Sequence, residues 1–183
     1  MSKYLRNDKY SCVPTAARVL KPDGEDAFFA KTISTPETIP HLLTLLHRDF
    51  GSRKISNGEA DKNAESEPHT VTLITFGGSD LVGFPGIVHG GVSTALLDEA
   101  MSFLLHLYHV RAAADQPRNL ALTVNLNINL RGPVQGPGQV IVECRLMKVQ
   151  GRKYFVKGCM KDTDGTILVD AEGLWISKRA IRL

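Results

Sequence analysis

The chain has 183 residues, 43% of them hydrophobic and 22% charged, with a net charge of +3. That is enough chain for one domain with a sizeable core. The charge is too slight to mark a nucleic-acid binder, though it suits an anionic small substrate such as a phosphorylated carrier. Seven Phe, four Tyr and one Trp are scattered and form no basic–aromatic module of the RNA-binding kind. Cys12, Cys144 and Cys159 have no close-spaced pair, so a reducing compartment is expected rather than a disulfide scaffold.

In chain order, Met1 to Tyr10 is polar and charged and carries no visible secretory signal. Residues 1 to about 35 lack periodicity and contain Pro14, Pro22 and Gly24, as expected of an arm lying over the surface. From Pro36 the spacing of Ile39, Leu42, Leu43 and Leu46 predicts a short helix, with Pro36-Glu37 as its start and Phe50-Gly51 as its stop. Ser52 to His69 is polar and reads as a mobile loop.

Thr70 to Phe76 predicts a strand, followed by a Gly77-Gly78 turn and a loop through Gly83 and Pro85-Gly86. A long helix follows from about Gly90, with Val92, Ala95, Leu96, Ala100, Phe103, Leu104 and Leu107 as its apolar stripe. Asp98, Glu99, His106 and His109 interrupt the stretch from Val92 to Val110, so it is a core helix and not a membrane span. Gln116-Pro117 ends the connection out of it. Leu120, Leu122, Val124, Leu126, Ile128 and Leu130 then alternate with Ala121, Thr123, Asn125, Asn127 and Asn129, the period of a half-buried strand. Gly132-Pro133 and Gly136-Pro137-Gly138 close it. Val140 to Val149, Lys153 to Lys161 and Thr166 to Ser177 predict three more strands, joined at Gln150-Gly151-Arg152 and Asp162-Thr163-Asp164-Gly165. One long helix followed by short-turned strands implies an α+β fold, an antiparallel meander with the helix over one face.

The motif inventory narrows the chemistry. There is no Gly-x-Ser-x-Gly, no P-loop and no Gly-x-Gly-x-x-Gly after a strand. His41 with His47, or His106 with His109, lacks His-Glu-x-x-His context or a cysteine partner, so no metal site is expected. The positive signal is His89-Gly90-Gly91, set where loop becomes helix. Glycine there lets a substrate approach the backbone, and a helix N-terminus offers unpaired N–H groups that stabilise a developing oxyanion. Asp98 follows Gly91 by about two turns, on the same side as Gly91 and Thr94, where it suits a general base or nucleophile. A double glycine before a helix is also a common loop device, but the helix dipole does not explain an acid so far from the first turn.

The run Phe84 to Met101, FPGIVHGGVSTALLDEAM, resembles the signature of the PaaI-like and THEM-like branch of the hotdog thioesterase superfamily. The likeness continues through Thr123 to Val134 and Gly151-Arg152-Lys153, in the right order over roughly residues 70 to 178. It implies a hotdog fold, an antiparallel sheet wrapped around one long central helix, with residues 1–69 as an N-terminal extension and 70–183 as the hotdog domain. It also implies an acyl-CoA thioesterase, with Asp98 as base or nucleophile, Gly90 as oxyanion donor and Thr123 assisting.

By the same resemblance, His89, Gly91, Thr94, Asn125, Arg131, Arg152 and Lys153 are the substrate-binding candidates. No cofactor is implied beyond coenzyme A as part of the substrate. The active site would lie between two subunits, in a homodimer or a dimer of dimers. Some relatives carry Asn or Gln six residues before the His, where this chain has Gly83. The arm resembles that of eukaryotic versions and would cap the acyl tunnel. A non-catalytic acyl-CoA-binding hotdog dimer and a hotdog hydratase or dehydratase are the alternatives, as is a carrier-protein thioester in place of CoA. The cytoplasm is the default compartment, with mitochondria and peroxisomes left open; the terminal Ile181-Arg182-Leu183 only faintly echoes a peroxisomal tripeptide.

Overall fold

One antiparallel sheet of seven strands carries a single long helix on its inner face. The computed structural model describes residues 2–50, 67–112 and 121–177. Its sheet strands are β1 (Tyr10–Val13), β2 (His41–His47), β3 (Thr70–Phe76), β6 (Ala121–Leu130), β7 (Gly138–Gln150), β8 (Lys153–Lys161) and β9 (Ile167–Ser177). They lie in the order β1-β2-β3-β7-β8-β9-β6. Between β3 and the helix sits a small hairpin of β4 (Val82–Phe84) and β5 (Ile87–Val88). The chain opens with a single helical turn, α1 (Ser2–Leu5), and the long helix is α2 (Gly90–Ala112).

Helix α2 is buried round most of its circumference. Leu96, Ala100, Phe103 and Leu104 of the expected stripe are buried, and so are Leu97, Met101 and Leu105. Most of these join Val140, Val142, Val156, Met160, Val169 and Trp175 from the sheet in one core. The helix comes close over β8 because position 158 is glycine. A Cβ there would lie 2.9 Å from Met101 Sδ and 3.2 Å from Leu97 Cδ2.

Residues 36–50, expected to be a helix, instead supply strand β2. The reason is that β2 sits inside the sheet, between β1 and β3, and is covered on both faces. Leu42 and Leu46 join the inner core, while Leu43 and Leu45 join a second cluster with Tyr10, Val71, Leu73 and Ile141 on the outer face. A strand buried on both faces is a nearly continuous apolar run, and His-Leu-Leu-Thr-Leu-Leu-His satisfies helical spacing by accident. Of the loop expected over 52–69, residues 52–66 lie outside the described residues, as do Gln116-Pro117 and the C-terminal tripeptide. His69 is buried, its Nδ1 accepting the Leu146 amide at 3.0 Å.

The arm is built into the domain and does more than lie over it. The Arg18 guanidinium donates to the carbonyls of Phe29 (2.9 Å), Ile33 (3.3 Å) and Ile39 (2.7 Å), gathering residues 18–39 around one charged hub. Ile33 and Ile39 enter the inner core. Gly77 and Gly78 donate to the carbonyls of Thr38 and Glu37, and a Cβ at Gly77 would collide with the Pro36 carbonyl. On the outer face, Tyr4 donates to the buried Glu143 at 2.5 Å, and Lys161 reaches the same carboxylate at 2.8 Å.

The strict alternation expected along β6 is broken by a β-bulge. Thr123 stands opposite Trp175 and Asn125 opposite Leu174, so Val124 is an extra residue. Leu126 and Ile128 still face the core, but beyond the bulge the parity reverses. Thr123, opposite the buried Trp175, turns inward, whereas Leu122 and Val124 are left 53% and 57% exposed.

Candidate active site

Two elements meet at the acid. Asp98 projects from the third turn of α2, half-buried, and the bulge in β6 turns Thr123 towards it. Thr123 Oγ1 donates to Asp98 Oδ1 at 2.9 Å. Among the described residues this is the one hydrogen bond Asp98 accepts, which leaves its second oxygen open to a reactant. The hydroxyl also takes one lone pair out of play and so fixes the plane of the carboxylate.

At the start of α2, His89 turns its ring back onto the helix, and Nδ1 accepts the Gly91 N–H at 3.0 Å. This leaves the proton of a neutral ring on Nε2. It also means the Gly91 amide is already satisfied. The carbonyl of His89 takes the Val92 and Ser93 amides. The Gly90 N–H, by contrast, has no partner among the described residues, so the single orphan donor of the turn is Gly90. The ring of His89 lies between two glycines: a Cβ at Gly83 would stand 2.9 Å from its Cδ2, and one at Gly91 3.0 Å from its Nδ1. A side chain at position 83 would therefore meet the imidazole, which fills that space.

The remaining candidates divide. Thr94 lies on the first turns of α2, half-buried. Asn125 stands opposite Leu174, on the face of β6 turned away from Thr123, so the bulge separates two residues the alternation had put together. Leu130 and Arg131 lie at the end of β6 nearest Gly90, where a Cβ on the glycine would be 3.0 Å from Leu130 Cδ1. Arg131 is exposed and pairs with Asp170, which also accepts from Asn129 at 2.8 Å, so much of its charge is already answered. Arg152 and Lys153 sit at the opposite end of the sheet, near Ser177, whose carbonyl accepts Arg152 at 3.1 Å. The three basic candidates are thus not one cluster within a single chain.

Glu99, the second member of the acidic pair, points away from Thr123 towards the arm. Burial pushes its carboxyl up to about 7, with the charges of Asp26 and Asp98 adding to the shift and Lys21 opposing it. Lys21 in turn pairs with Asp26 at 2.5 Å and Glu25 at 2.8 Å. Adjacent carboxyls on one helix thus have different environments, a division that sequence spacing does not reveal. The described residues contain no group of three or more His, Cys, Asp or Glu able to hold a metal. None of their helices is long and apolar enough to cross a membrane.

An antiparallel sheet curled about one long helix, with an orphan amide at the helix start and a carboxylate two turns in, defines a hotdog α+β domain. Residues 85–169 match the family model of the Thioesterase superfamily. Over 111 residues it is 32% identical to the Acyl-coenzyme A thioesterase THEM4 of Mus musculus, covering 60% of this chain and 44% of the relative. The chain spans less than half the length of the mammalian THEM4 proteins it matches. It is 23% identical over 173 residues to the Verlamelin biosynthesis protein B of Lecanicillium sp, covering 81% of this chain and 71% of that one. The fold is shared with a solved thioesterase candidate from Lactococcus lactis, at a TM-score of 0.51 and 16% identity over 61% of this chain and 83% of that chain. A further structure described as a thioesterase superfamily protein gives a TM-score of 0.50 at 18% identity, covering 62% and 80%.

Proposed function

We propose that the protein hydrolyses an acyl-CoA thioester to a free acid and a thiol, with Asp98 as the working carboxylate. The observation that carries this reading is the Thr123–Asp98 hydrogen bond, which holds one carboxylate oxygen and leaves the other free. In the general-base route, Asp98 takes a proton from water as the water oxygen bonds to the thioester carbon. The carbonyl oxygen gains negative charge and is held by the Gly90 N–H. Collapse breaks the carbon–sulfur bond, and the thiolate leaves with the proton that Asp98 had taken. In the nucleophilic route, Asp98 itself attacks the thioester carbon, and the carbon–sulfur bond breaks to expel the thiolate. Water then hydrolyses the mixed anhydride to the free acid, restoring the Asp98 carboxylate and leaving a proton for the thiolate.

The two groups belong to different copies of the chain in this reading. Gly90 and Asp98 are eight residues apart on one helix, which is about 12 Å along its axis and too far for both to serve one carbonyl. The free edge of the sheet offers a partner surface. Among the described residues β6 is the last strand, and Leu122, Val124 and Leu130 leave it 53%, 57% and 60% exposed, with Phe84 of the β4–β5 hairpin 72% exposed. An unpaired edge with an apolar rim invites a second copy, which would bring one subunit's Gly90 towards the other's Asp98.

The test is thiol release from saturated acyl-CoAs of short, medium and long chain. Turnover by the native protein that is lost in Asp98→Ala supports the reading, and hydrolysis unaltered in that variant overturns the role of Asp98. Saturable binding with no thiol release would favour a non-catalytic acyl-CoA-binding dimer instead.

A further inference from the structure

Trp175 is the chain's single tryptophan and is fully buried. It joins the two elements that carry Asp98 and Thr123. On the strand side, its backbone stands opposite Thr123 in the β9–β6 ladder, at the last regular pair before the bulge. On the helix side, its indole Nε1–H donates to Ser102 Oγ at 2.9 Å. Ser102 follows Asp98 by four residues, one turn further along the same side of α2.

The ring can reach the helix because β9 makes room for it. Position 173 is glycine, and a Cβ there would run into the Trp175 ring and stand 3.1 Å from Leu126 Cδ1. The ring therefore lies back over Gly173 with its N–H directed at Ser102. An indole N–H only donates, and leaving one buried without an acceptor is costly. Serine is a mediocre helix former, so its presence in the middle of α2 is accounted for by this acceptor role.

We propose that Trp175 and Ser102 are positioning residues for the Asp98–Thr123 pair, setting the separation between the helix turn that bears the acid and the bulge that bears the hydroxyl. The inference rests on the reading of Asp98 as the working carboxylate and adds to it the device that holds it in register. Neither residue reaches the reacting atoms. They act through the 2.9 Å bond between Thr123 and Asp98.

The experiment compares Ser102→Ala, Ser102→Thr and Trp175→Phe in the full chain, each alone and in a Thr123→Val background, by steady-state thiol release. Ser102→Ala is expected to lower kcat by about tenfold, with KM held within about twofold, because a small displacement of the acid affects the transition state more than binding. Ser102→Thr keeps the hydroxyl and restores kcat to within about twofold of the native value. In the Thr123→Val background the effect of Ser102→Ala disappears, because the bond it acts through is already gone.

An unchanged kcat in Ser102→Ala, or an equal loss with and without Thr123, overturns the proposal. If Ser102→Ala folds poorly, Trp175→Phe decides by the same criteria, since it removes the donor and leaves the helix sequence intact. A crystal structure of either variant separates this inference from the functional reading. Should Asp98→Ala retain turnover, a Thr123–Asp98 distance lengthened in the variant still supports the positioning link, and an unchanged distance overturns it.

Discussion

Thr123 reaches Asp98 only because Val124 is an extra residue in β6. In an unbroken ladder Thr123 would face the same side as Asn125, away from the helix, and Val124 would point at the acid. The bulge reverses that parity and re-aims one hydroxyl, a common use of bulges beside active sites. Thr123→Val, which is nearly the same size, is expected to lower kcat by about tenfold, whereas Thr123→Ser retains most of it. Thiol-release kinetics check both. A Thr123→Val enzyme with native kcat would show that the hydroxyl only packs.

Glu99 makes the stability of the fold depend on pH. Its ordinary value is 4.5 and burial raises it to about 7 in the fold, with Asp26 and Asp98 adding and Lys21 opposing. The unfolded chain therefore gives up this proton first. The contribution is present in full below about pH 4.5, and it is lost as pH rises through about 7. Glu99→Gln mimics the neutral acid at every pH. It is expected to raise the melting temperature at pH 8 and leave it nearly unchanged at pH 5, as read by thermal denaturation. An equal shift at both pH values would point to packing and not to charge.

Much of this was legible in the chain itself, and the failures have physical causes. Lys153–Lys161 could be bounded from sequence because turn chemistry and a single apolar face mark it, and Thr70–Phe76 because the Gly77-Gly78 turn ends a β-branched run. The long helix was legible from Gly90 because the loop glycines announce its start. Strand β2 was not, since burial on both faces erases the period of two. The bulge was not either. An extra residue leaves Leu122-Thr123-Val124-Asn125 looking like any alternating strand, and only the partner strand reveals the slip. At the site, the spacing of His89, Gly90 and Asp98 was visible, but the tie from Trp175 to Ser102 joins residues 73 apart. A lone tryptophan and a mid-helix serine four residues after the acid were the available signals.

Gly173→Ala tests the space beneath the Trp175 ring. The added methyl meets the ring and crowds Leu126, with no flexible chain end to yield. Overpacking of this kind costs about 1–3 kcal/mol. The expected result is a lower melting temperature together with red-shifted emission from the sole tryptophan, as the ring is driven from the interior. A blue-shifted or unchanged spectrum with native stability would mean that the ring has another resting place.

The division of one site between two chains can be tested by complementation. Gly90→Pro removes the orphan amide, and proline is well tolerated at the first position of a helix, so the helix itself should survive. Alone, the variant is expected to lose about a hundredfold in kcat, the scale of one oxyanion donor. Asp98→Ala alone is expected to be similarly inactive. When the two variants are mixed, denatured and refolded together, hybrid dimers contain one site with an intact Gly90 from one chain and an intact Asp98 from the other. Random pairing makes half the dimers hybrid with half their sites restored, so about a quarter of native activity should return. If instead each site were built within one chain, no hybrid would contain a complete pair, and the mixture would stay as inactive as its components. Leu122→Lys on the exposed face of β6 provides the matching control. A charge on the edge strand opposes pairing, so this substitution should shift the chain towards monomer by size-exclusion chromatography and lower activity in parallel.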